Sequence, residues 1–245
     1  MAVGSNADAV ARWKRSGIRE VITLLLPSKG RQYQLTSLIS RISKAMNEDF
    51  LLHVILDPDD EYDDMTRFEH VIYSVAMSKG YWKCLNEFLP KDQEEPFIWL
   101  ADDIRPSGNW LLHVQECWKR HYPDGLGLVT LNDGKVNHGG ACFGMTTPRW
   151  LYVLFGEQRF PRRFGHQYLD TLVADRSKDL DRYYFCANAL VEHLHPILGK
   201  ANVDDTYRLS RGRSIGDKEL KDEMDKEWVR GGLGEARKRL RELDD

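Results

Sequence analysis

Two short stretches of the sequence bring together residue types that can bind a metal ion. The first is the pair Asp102 and Asp103, which directly follows an apolar run. The second is VEHLHP at 191–196, which contains His193 and His195. Side chains two positions apart in a strand point to the same face, so these two imidazoles could bind one metal ion. Carboxylate oxygens and imidazole nitrogens together suit Mn²⁺ or Mg²⁺ that carries a phosphate group.

Each of these features also has a purely structural explanation. The acidic pair can cap the helix that is expected after Pro106, because Asp is a preferred residue at helix N-termini. Two histidines at the end of a strand can be hydrogen-bonded and inert. The choice between metal binding and structure therefore depends on whether the fold brings the two stretches together.

The rest of the chain predicts alternating strands and helices. Short apolar runs that end in Pro, Gly or acidic residues indicate buried strands, and they begin the segments 20–31, 50–64, 96–120, 125–134, 139–147 and 183–195. Apolar residues at helical spacing predict helices at 35–46, 66–78, 148–156 and 167–179 and after Pro106. This alternation predicts an α/β fold in which helices flank a mainly parallel sheet.

Polar side chains lie at the expected carboxyl ends of the first strands. The turn PSKGR at 27–31 ends the first strand, Asp57 ends the second, and Asp102 with Asp103 ends the third. Ligands bind beyond the carboxyl ends of the strands in sheets of this kind. The convergence of these turns therefore predicts a ligand site at that edge.

The C-terminal part of the chain is more polar. The segment after Pro196 is predicted to be a mobile loop, and the charged tail from 216 carries apolar residues only as sparse helical stripes. We therefore expect one domain over 1–210 and a charged helical extension over 211–245.

Composition and charge narrow the class of protein. Of the 245 residues, 42% are hydrophobic and 30% are charged, which is typical of a globular domain. The net charge of −3 gives no global argument for binding nucleic acid or membranes. No apolar stretch approaches the ~20 residues of a membrane helix, and the N-terminus lacks the apolar core of a secretory signal. The four scattered cysteines are typical of free thiols in a reducing compartment, so a cytoplasmic location is expected.

Several common nucleotide and hydrolase motifs are missing from the sequence. The phosphate-binding motif GxxxxGK[ST] is absent, and GGLGEA at 231–236 has neither the spacing nor the preceding strand of a dinucleotide site. The nucleophile motif GxSxG is absent as well.

The order and spacing of the remaining stretches resemble the GT-A glycosyltransferases, in particular the family 2-like enzymes, over about residues 20–208. The stretches that carry this resemblance are LLLPSKGR, Asp57, ADDIRPSGNW, HQYLDTLVAD and VEHLHPILGKANVDDTY. The resemblance implies a Rossmann-like sheet that binds a nucleotide sugar, with a UDP-sugar favoured. It also implies a metal-dependent hexosyltransferase that uses Mn²⁺ or Mg²⁺ and moves the sugar to a hydroxyl group.

The resemblance also implies roles on the donor side of the site. Pro27, Ser28 and Arg31 would border the donor nucleotide, and Asp57 would meet its base. The stretch ADD would correspond to the DxD motif of the family, whose carboxylates hold the ribose and the metal ion. Ala101 stands at the first position of that motif if Asp103 is the last.

Asp102 would then take over part of the ribose contact in the donor site, or that contact would be missing. Asp103 would bind the metal together with His193 or His195, and the motif does not decide between the two histidines. Asp170 would be the acceptor-side base of a direct displacement that inverts the anomeric centre.

The acceptor and two competing functions stay open. The acceptor is expected to be a carbohydrate or a hydroxymethylated base in DNA, and the loop RFPRRFG at 159–165 offers arginines for phosphates and an aromatic ring for a flipped base. A nucleotidyltransferase would share the α/β sheet, the nucleotide and the divalent ion. A non-catalytic nucleotide-sugar-binding module would explain the Ala101 departure.

Overall fold

The structure is a computed structural model that describes residues 21–45, 50–60, 68, 70–135, 142–196 and 199–244. In these ranges the strands are β1 Ile22–Ser28, β2 Phe50–Leu56, β3 Val71–Val75, β4 Phe97–Trp99, β5 Ile104–Pro106, β6 Leu128–Asn132, β7 Gly144–Thr146 and β8 Tyr183–His193. The helices are α1 Gln32–Ala45, α2 Tyr81–Glu87, α3 Trp110–His121, α4 Pro148–Phe155, α5 Leu169–Asp179, α6 Asp205–Arg213, α7 Asp217–Glu227 and α8 Leu233–Asp244. A π-helical segment, Trp228–Gly232, joins α7 to α8.

The strands form one sheet with the order β3-β2-β1-β4-β7-β6-β8-β5. The pairs β1–β2, β2–β3, β1–β4 and β6–β8 are parallel. Strand β7 runs antiparallel to β4 and β6, and β5 runs antiparallel to β8. The predicted α/β fold with a mainly parallel sheet and flanking helices is confirmed, and the antiparallel pairs make the sheet mixed.

Two apolar cores cover the two faces of the sheet. All of β1 is buried, and its side chains alternate between the cores: Leu24 and Leu26 pack with α1 and α3, while Leu25 packs with α2, α4 and α5. Continuous apolar strands such as β1 and β2 are the pattern of a sheet buried on both faces. This burial fixes the strand ends that carry the polar turns.

Two predicted elements differ from the structure. The helix predicted over 66–78 is wrong, because Val71–Val75 forms β3 along the edge of β2. These five residues include valine, isoleucine and tyrosine, which favour strands, and residues 61–67 lie outside the described part of the chain. The loop predicted after Pro196 is wrong over Asp205–Arg213, which forms α6; Asp204 caps it by accepting a hydrogen bond from the Tyr207 N–H at 3.0 Å.

The charged tail is helical, as predicted, and it packs against α4 and α5. Trp228 is 5% exposed, and its indole N–H donates to Asp179 Oδ2 at 2.8 Å. The Arg239 guanidinium donates twice to the Val153 carbonyl, at 2.8 and 3.0 Å. The division of the chain at residue 210 stays a prediction. No helix in the described ranges has the length and apolarity needed to cross a membrane.

Candidate active site

A cavity of about 400 Å³ lies at the carboxyl ends of β1, β2 and β4. Every site residue predicted from the sequence lines this cavity: Pro27, Ser28, Arg31, Asp57, Asp102, Asp103, Asp170, His193 and His195. Parallel pairing explains the donor-side part of this set, because Ser28 stands opposite Leu56 in the register and Asp57 follows Leu56. The cavity lies where ligands bind in sheets of this kind.

The antiparallel pair of β5 and β8 brings Asp103 to His193. In that pair Ile104 stands opposite His193, and the Leu194 N–H donates to the Asp103 carbonyl at 2.8 Å. The Asp103 carboxylate oxygen Oδ2 lies 3.2 Å from His193 Nε2. The Tyr207 hydroxyl, from α6, donates to the same oxygen. The two chemically suggestive stretches of the sequence thus meet at one carboxylate.

His195 also faces the cavity, but strand geometry does not extend to it because β8 ends at His193. Its ring makes edge contacts with the rings of His193 at 5.1 Å and Tyr207 at 5.0 Å. Burial, and then the neighbouring His193, lowers the pKa of His195 to about 4. The imidazole of His195 is therefore neutral at pH 7 and keeps a lone pair.

The pKa values of the adjacent carboxylates Asp102 and Asp103 shift in opposite directions. Burial opposes ionisation of Asp103, but the hydrogen bond and charge of His193 and the charge of Arg31 outweigh it, so the pKa of Asp103 falls below its usual range. Burial raises the pKa of Asp102 above its usual range, against the charge of Arg31. Asp103 is consequently the carboxylate best prepared to meet a cation.

Asp102 belongs to a buried network that joins the turn after β1 to α6. One of its oxygens accepts from Arg31 Nη1 at 2.5 Å, and the other accepts from the Ser28 hydroxyl at 2.8 Å. Arg31 also donates to Asp204 through Nε at 2.8 Å and Nη2 at 3.2 Å, and its guanidinium lies 4.6 Å from the centre of the Tyr207 ring. Asp102 therefore orders the residues around the cavity, in addition to lining it.

Removing the positive charge from this network should destabilise the fold. Arg31→Met leaves the Asp102 carboxylate buried without the guanidinium that pairs with it. We therefore expect the free energy of unfolding to fall by about 3–5 kcal/mol. Urea unfolding measures this change. The double variant Arg31→Met with Asp102→Asn should recover part of the loss, and equal losses in the single and double variants would contradict this account.

Asp57 is 5% exposed and lies beside the turn after β1. Its Oδ1 is 2.6 Å from Lys29 Nζ and accepts from the Asp59 N–H at 3.1 Å. Lys29 also lies 3.8 Å from Asp59 and 3.9 Å from Asp60. Asp57 can offer a hydrogen-bond acceptor to a base, and Lys29 can offer a positive charge to a phosphate; both line the cavity, whereas Asp59 does not.

Asp170 lies in the first turn of α5 on the cavity wall. Its Oδ1 accepts from the Thr171 N–H at 2.8 Å, and burial raises its pKa above the usual range. Burial, and then the negative charge of Asp170, raises the pKa of the neighbouring Tyr81 hydroxyl and that of the Cys142 thiol. A half-buried carboxylate of this kind can accept a proton near neutral pH more readily than an exposed one.

Solved structures provide the comparison that decides the fold. The chain is similar to the mannosyltransferase PcManGT from Pyrobaculum calidifontis in complex with GDP-Man and Mn²⁺, with a TM-score of 0.58 at 12% identity over 97% of this chain and 83% of that one. It is also similar to glucosyl-3-phosphoglycerate synthase from Mycobacterium tuberculosis in complex with Mn²⁺, UDP-Glc and phosphoglyceric acid, with a TM-score of 0.51 at 15% identity over 86% and 80% of the two chains. The chain has the GT-A glycosyltransferase fold.

A third likeness extends over less of the other protein. Residues 1–349 of TarS from S. aureus match with a TM-score of 0.50 at 11% identity, and the alignment covers 70% of this chain and 59% of that one. No protein-family profile matches the sequence. No curated protein matches it either.

A second group of possible metal ligands, which the sequence did not indicate, includes two residues that line the cavity, Cys142 and His193. Ligand atoms of Asp133, Cys142 and His193 lie within 4.8 Å of one another. Lys135 Nζ lies 3.1 Å from Cys142 Sγ and 3.3 Å from Asp133 Oδ2, so an ammonium group already faces these two residues. We therefore interpret this group as a cluster whose charge is balanced by Lys135.

Tyr207, which lines the cavity, and Asp204, which binds Arg31, were not predicted from the sequence. Both lie at the start of α6, in the segment that was predicted to be a loop. The signal for them was the sequence DDTY at 204–207, because Asp is a preferred residue at a helix N-cap and can start a helix there.

The basic and aromatic loop at 159–165 of this GT-A chain does not present its rings to solvent. Phe160 is 0% exposed and Phe164 is 1% exposed, and the Phe160 ring packs 4.9 Å from Trp82 and 5.7 Å from Trp99. The predicted stacking of one of these rings on a flipped base is therefore wrong. The phenylalanines anchor the loop to the apolar core.

This anchoring has a measurable effect on stability. Phe160→Ala should lower the free energy of unfolding by about 3–5 kcal/mol, because it leaves a large cavity among aromatic rings. Chemical denaturation measures this change. Arg162→Ala removes an exposed side chain from the same loop and should change stability by about 0.5 kcal/mol or less. Similar losses in both variants would show that the loop, and not the ring, is the source.

Proposed function

We propose that this GT-A protein is a metal-dependent glycosyltransferase that moves a sugar from a nucleoside-diphosphate sugar to a hydroxyl group. The observation that carries the proposal is the 3.2 Å approach of the ionised Asp103 carboxylate to His193 inside the strand-end cavity. Structures of the same fold support it, since one is a complex with GDP-Man and Mn²⁺ and the other a complex with Mn²⁺, UDP-Glc and phosphoglyceric acid.

The donor set of the site fits a divalent cation. Asp103 supplies a carboxylate oxygen whose pKa is lowered, and His193 and His195 supply imidazole nitrogens on the same wall. Mixed oxygen and nitrogen ligands suit Mn²⁺, and Mg²⁺ is the alternative. When bound, such an ion would neutralise the charge that develops on the departing nucleoside diphosphate.

The turn after β1 is proposed to bind the donor nucleotide, a UDP-sugar in the first instance. Pro27 and Ser28 form its wall, Asp57 accepts a hydrogen bond from the base, and Arg31 lies toward the phosphates. Asp102 contributes by holding Ser28 at 2.8 Å and Arg31 at 2.5 Å. It would replace, in part, the carboxylate that Ala101 lacks.

Asp170 is proposed to be the general base. It takes the proton from the acceptor hydroxyl while the hydroxyl oxygen bonds to the anomeric carbon. The bond from that carbon to the diphosphate oxygen breaks, and the leaving diphosphate keeps the electron pair. The anomeric centre inverts because the hydroxyl attacks from the face opposite the leaving group. The acceptor is proposed to be a carbohydrate, because burial of Phe160 and Phe164 removes the stacking rings that favoured DNA.

A panel of nucleotides tests this function. UDP-glucose, GDP-mannose, UDP and GDP are added with Mn²⁺, with Mg²⁺ or with a chelator, and thermal stability and nucleoside-diphosphate release are measured. A ligand at 100 times its dissociation constant adds about 2.7 kcal/mol of stability. A transferase should release diphosphate only with the metal. Pyrophosphate release from a nucleoside triphosphate would indicate a nucleotidyltransferase instead, and binding without turnover would indicate a non-catalytic module.

A further inference from the structure

A buried carboxylate in the C-terminal part of the chain holds one wall of the cavity. Asp217 is the first residue of α7 and is 3% exposed. Its Oδ1 accepts from the Gly165 N–H, and its Oδ2 accepts from the N–H groups of His166 and Gln167, each at 2.8 Å. Three consecutive amides that point at one anion form a compact anion-binding arrangement.

The segment 165–167, whose amides bind Asp217, leads directly into the helix that carries the proposed base, Asp170. His166, Gln167 and Tyr168 line the cavity, and Tyr168 precedes α5, which carries Asp170 in its first turn. Tyr168 has φ 65, which is a costly backbone conformation for a residue other than glycine. Such conformations persist where the surrounding structure holds the backbone in place.

A second contact, from helix α2, fixes the same segment at His166. The indole N–H of Trp82, in α2, donates to the His166 carbonyl at 3.0 Å. Asp217 therefore binds the N–H groups of the segment while Trp82 binds a carbonyl group. Both contacts act on the backbone, so they place the segment whatever its side chains bind.

We infer that Asp217 is a positioning residue that sets the place of Asp170 in the cavity. This inference rests on the proposed function and extends it to α7, a helix that also contacts α5, where Lys221 Nζ lies 3.3 Å from Asp175 Oδ2. Donor residues such as Ser28 and Asp103 are held by different partners, Asp102 in one case and His193 and Tyr207 in the other. Loss of Asp217 should therefore change the transfer step and leave donor binding intact.

The test compares Asp217→Asn with Asp222→Asn. Asn keeps the volume at 217 but replaces one acceptor oxygen with an amide group that faces backbone N–H donors. Asp222 lies on the same helix, is half exposed and pairs with Lys218, so its variant is the matched control. Metal-dependent release of UDP from UDP-glucose, or of GDP from GDP-mannose, should fall about 10²-fold in kcat for Asp217→Asn, because a displacement of about 1 Å can cost that much. The KM for the donor should stay within about twofold of the parent, as expected for intact ground-state binding.

A double variant separates positioning from a general structural role. If Asp217 acts through Asp170, then Asp170→Asn with Asp217→Asn should be no slower than Asp170→Asn alone, because coupled residues are not additive. Multiplied losses in the double variant would overturn the inference.

Hydrogen exchange of the unaltered full chain provides a readout that does not depend on folding of any variant. The amides of residues 165–167 should exchange slowly, and fast exchange there would overturn the inference.

If the parent chain turns over a donor and Asp217→Asn has the same kcat as Asp222→Asn, this inference alone is overturned. A parent chain that turns over no donor overturns the proposed function together with it.

Discussion

Asp103→Asn should abolish metal-dependent binding of nucleoside diphosphate and reduce sugar transfer by at least about 10²-fold. Losses of up to about that size follow when a residue that only supports a metal ligand is changed, so loss of the ligand itself should cost at least as much. The amide keeps the volume of the carboxylate but loses the negative charge that His193 and Arg31 hold ionised. Calorimetric titration of UDP with and without Mn²⁺ measures the binding loss. Circular dichroism checks that the fold is retained.

The control for this prediction is Asp59→Asn. Asp59 is another acidic residue near the cavity, but it is half exposed and pairs with Lys79 at 2.7 Å. This variant should bind UDP and Mn²⁺ as the parent does. His193→Ala should reproduce the loss seen in Asp103→Asn, because His193 is the histidine in contact with that carboxylate. If Asp103→Asn retains metal-dependent binding, the metal site has been assigned to the wrong residues.

Asp170→Asn should reduce transfer by ~10²–10⁴-fold, the range for loss of a general base, while binding of the donor survives. Burial raises the pKa of Asp170, and only the ionised form can accept a proton. The parent's transfer rate should therefore decrease as pH falls through that raised pKa. The variant should lose this acidic limb of the profile, which a rate–pH series at saturating donor measures.

Asp175→Asn is the matched control on the same helix. The Asp175 carboxylate pairs with Lys178 at 3.5 Å and Lys221 at 3.3 Å and is not among the residues that line the cavity. We expect transfer by this variant to equal that of the parent. A parental rate in Asp170→Asn would remove Asp170 from the mechanism.

The donor-side residues could be predicted because they follow buried strands. Apolar runs with polar turns locate Asp57 and Asp103 at strand ends, and parallel pairing then brings those ends together. The meeting of His193 with Asp103 required one further step, since it depends on the antiparallel pairing of β5 with β8. The resemblance to a known fold supplied that step, whereas local sequence pattern did not.

Other features depend on partners that no local pattern specifies. Strand β3 lies in a segment that was predicted to be a helix. Its valine, isoleucine and tyrosine side chains suit a strand, and pairing along the edge of β2 makes it one. Tyr207 reaches Asp103 across a separation of 104 residues, and Asp217 reaches the Gly165 amide across 52. In the sequence Tyr207 and Asp217 look like ordinary surface residues, because their roles depend on the tertiary neighbours that they contact.

The hydrogen bonds of Arg31 to Asp204 join residues that are 173 positions apart. The turn after β1 and helix α6 are thereby parts of one cooperative unit, and opening of α6 costs the contacts of both. Linkage makes this coupling reciprocal: a nucleotide that stabilises the turn must also lower the population of molecules in which α6 is open, by the same factor by which closure of α6 tightens nucleotide binding. Occupancy of the cavity would then be readable, at a distance, in the exchange rates of the α6 amides.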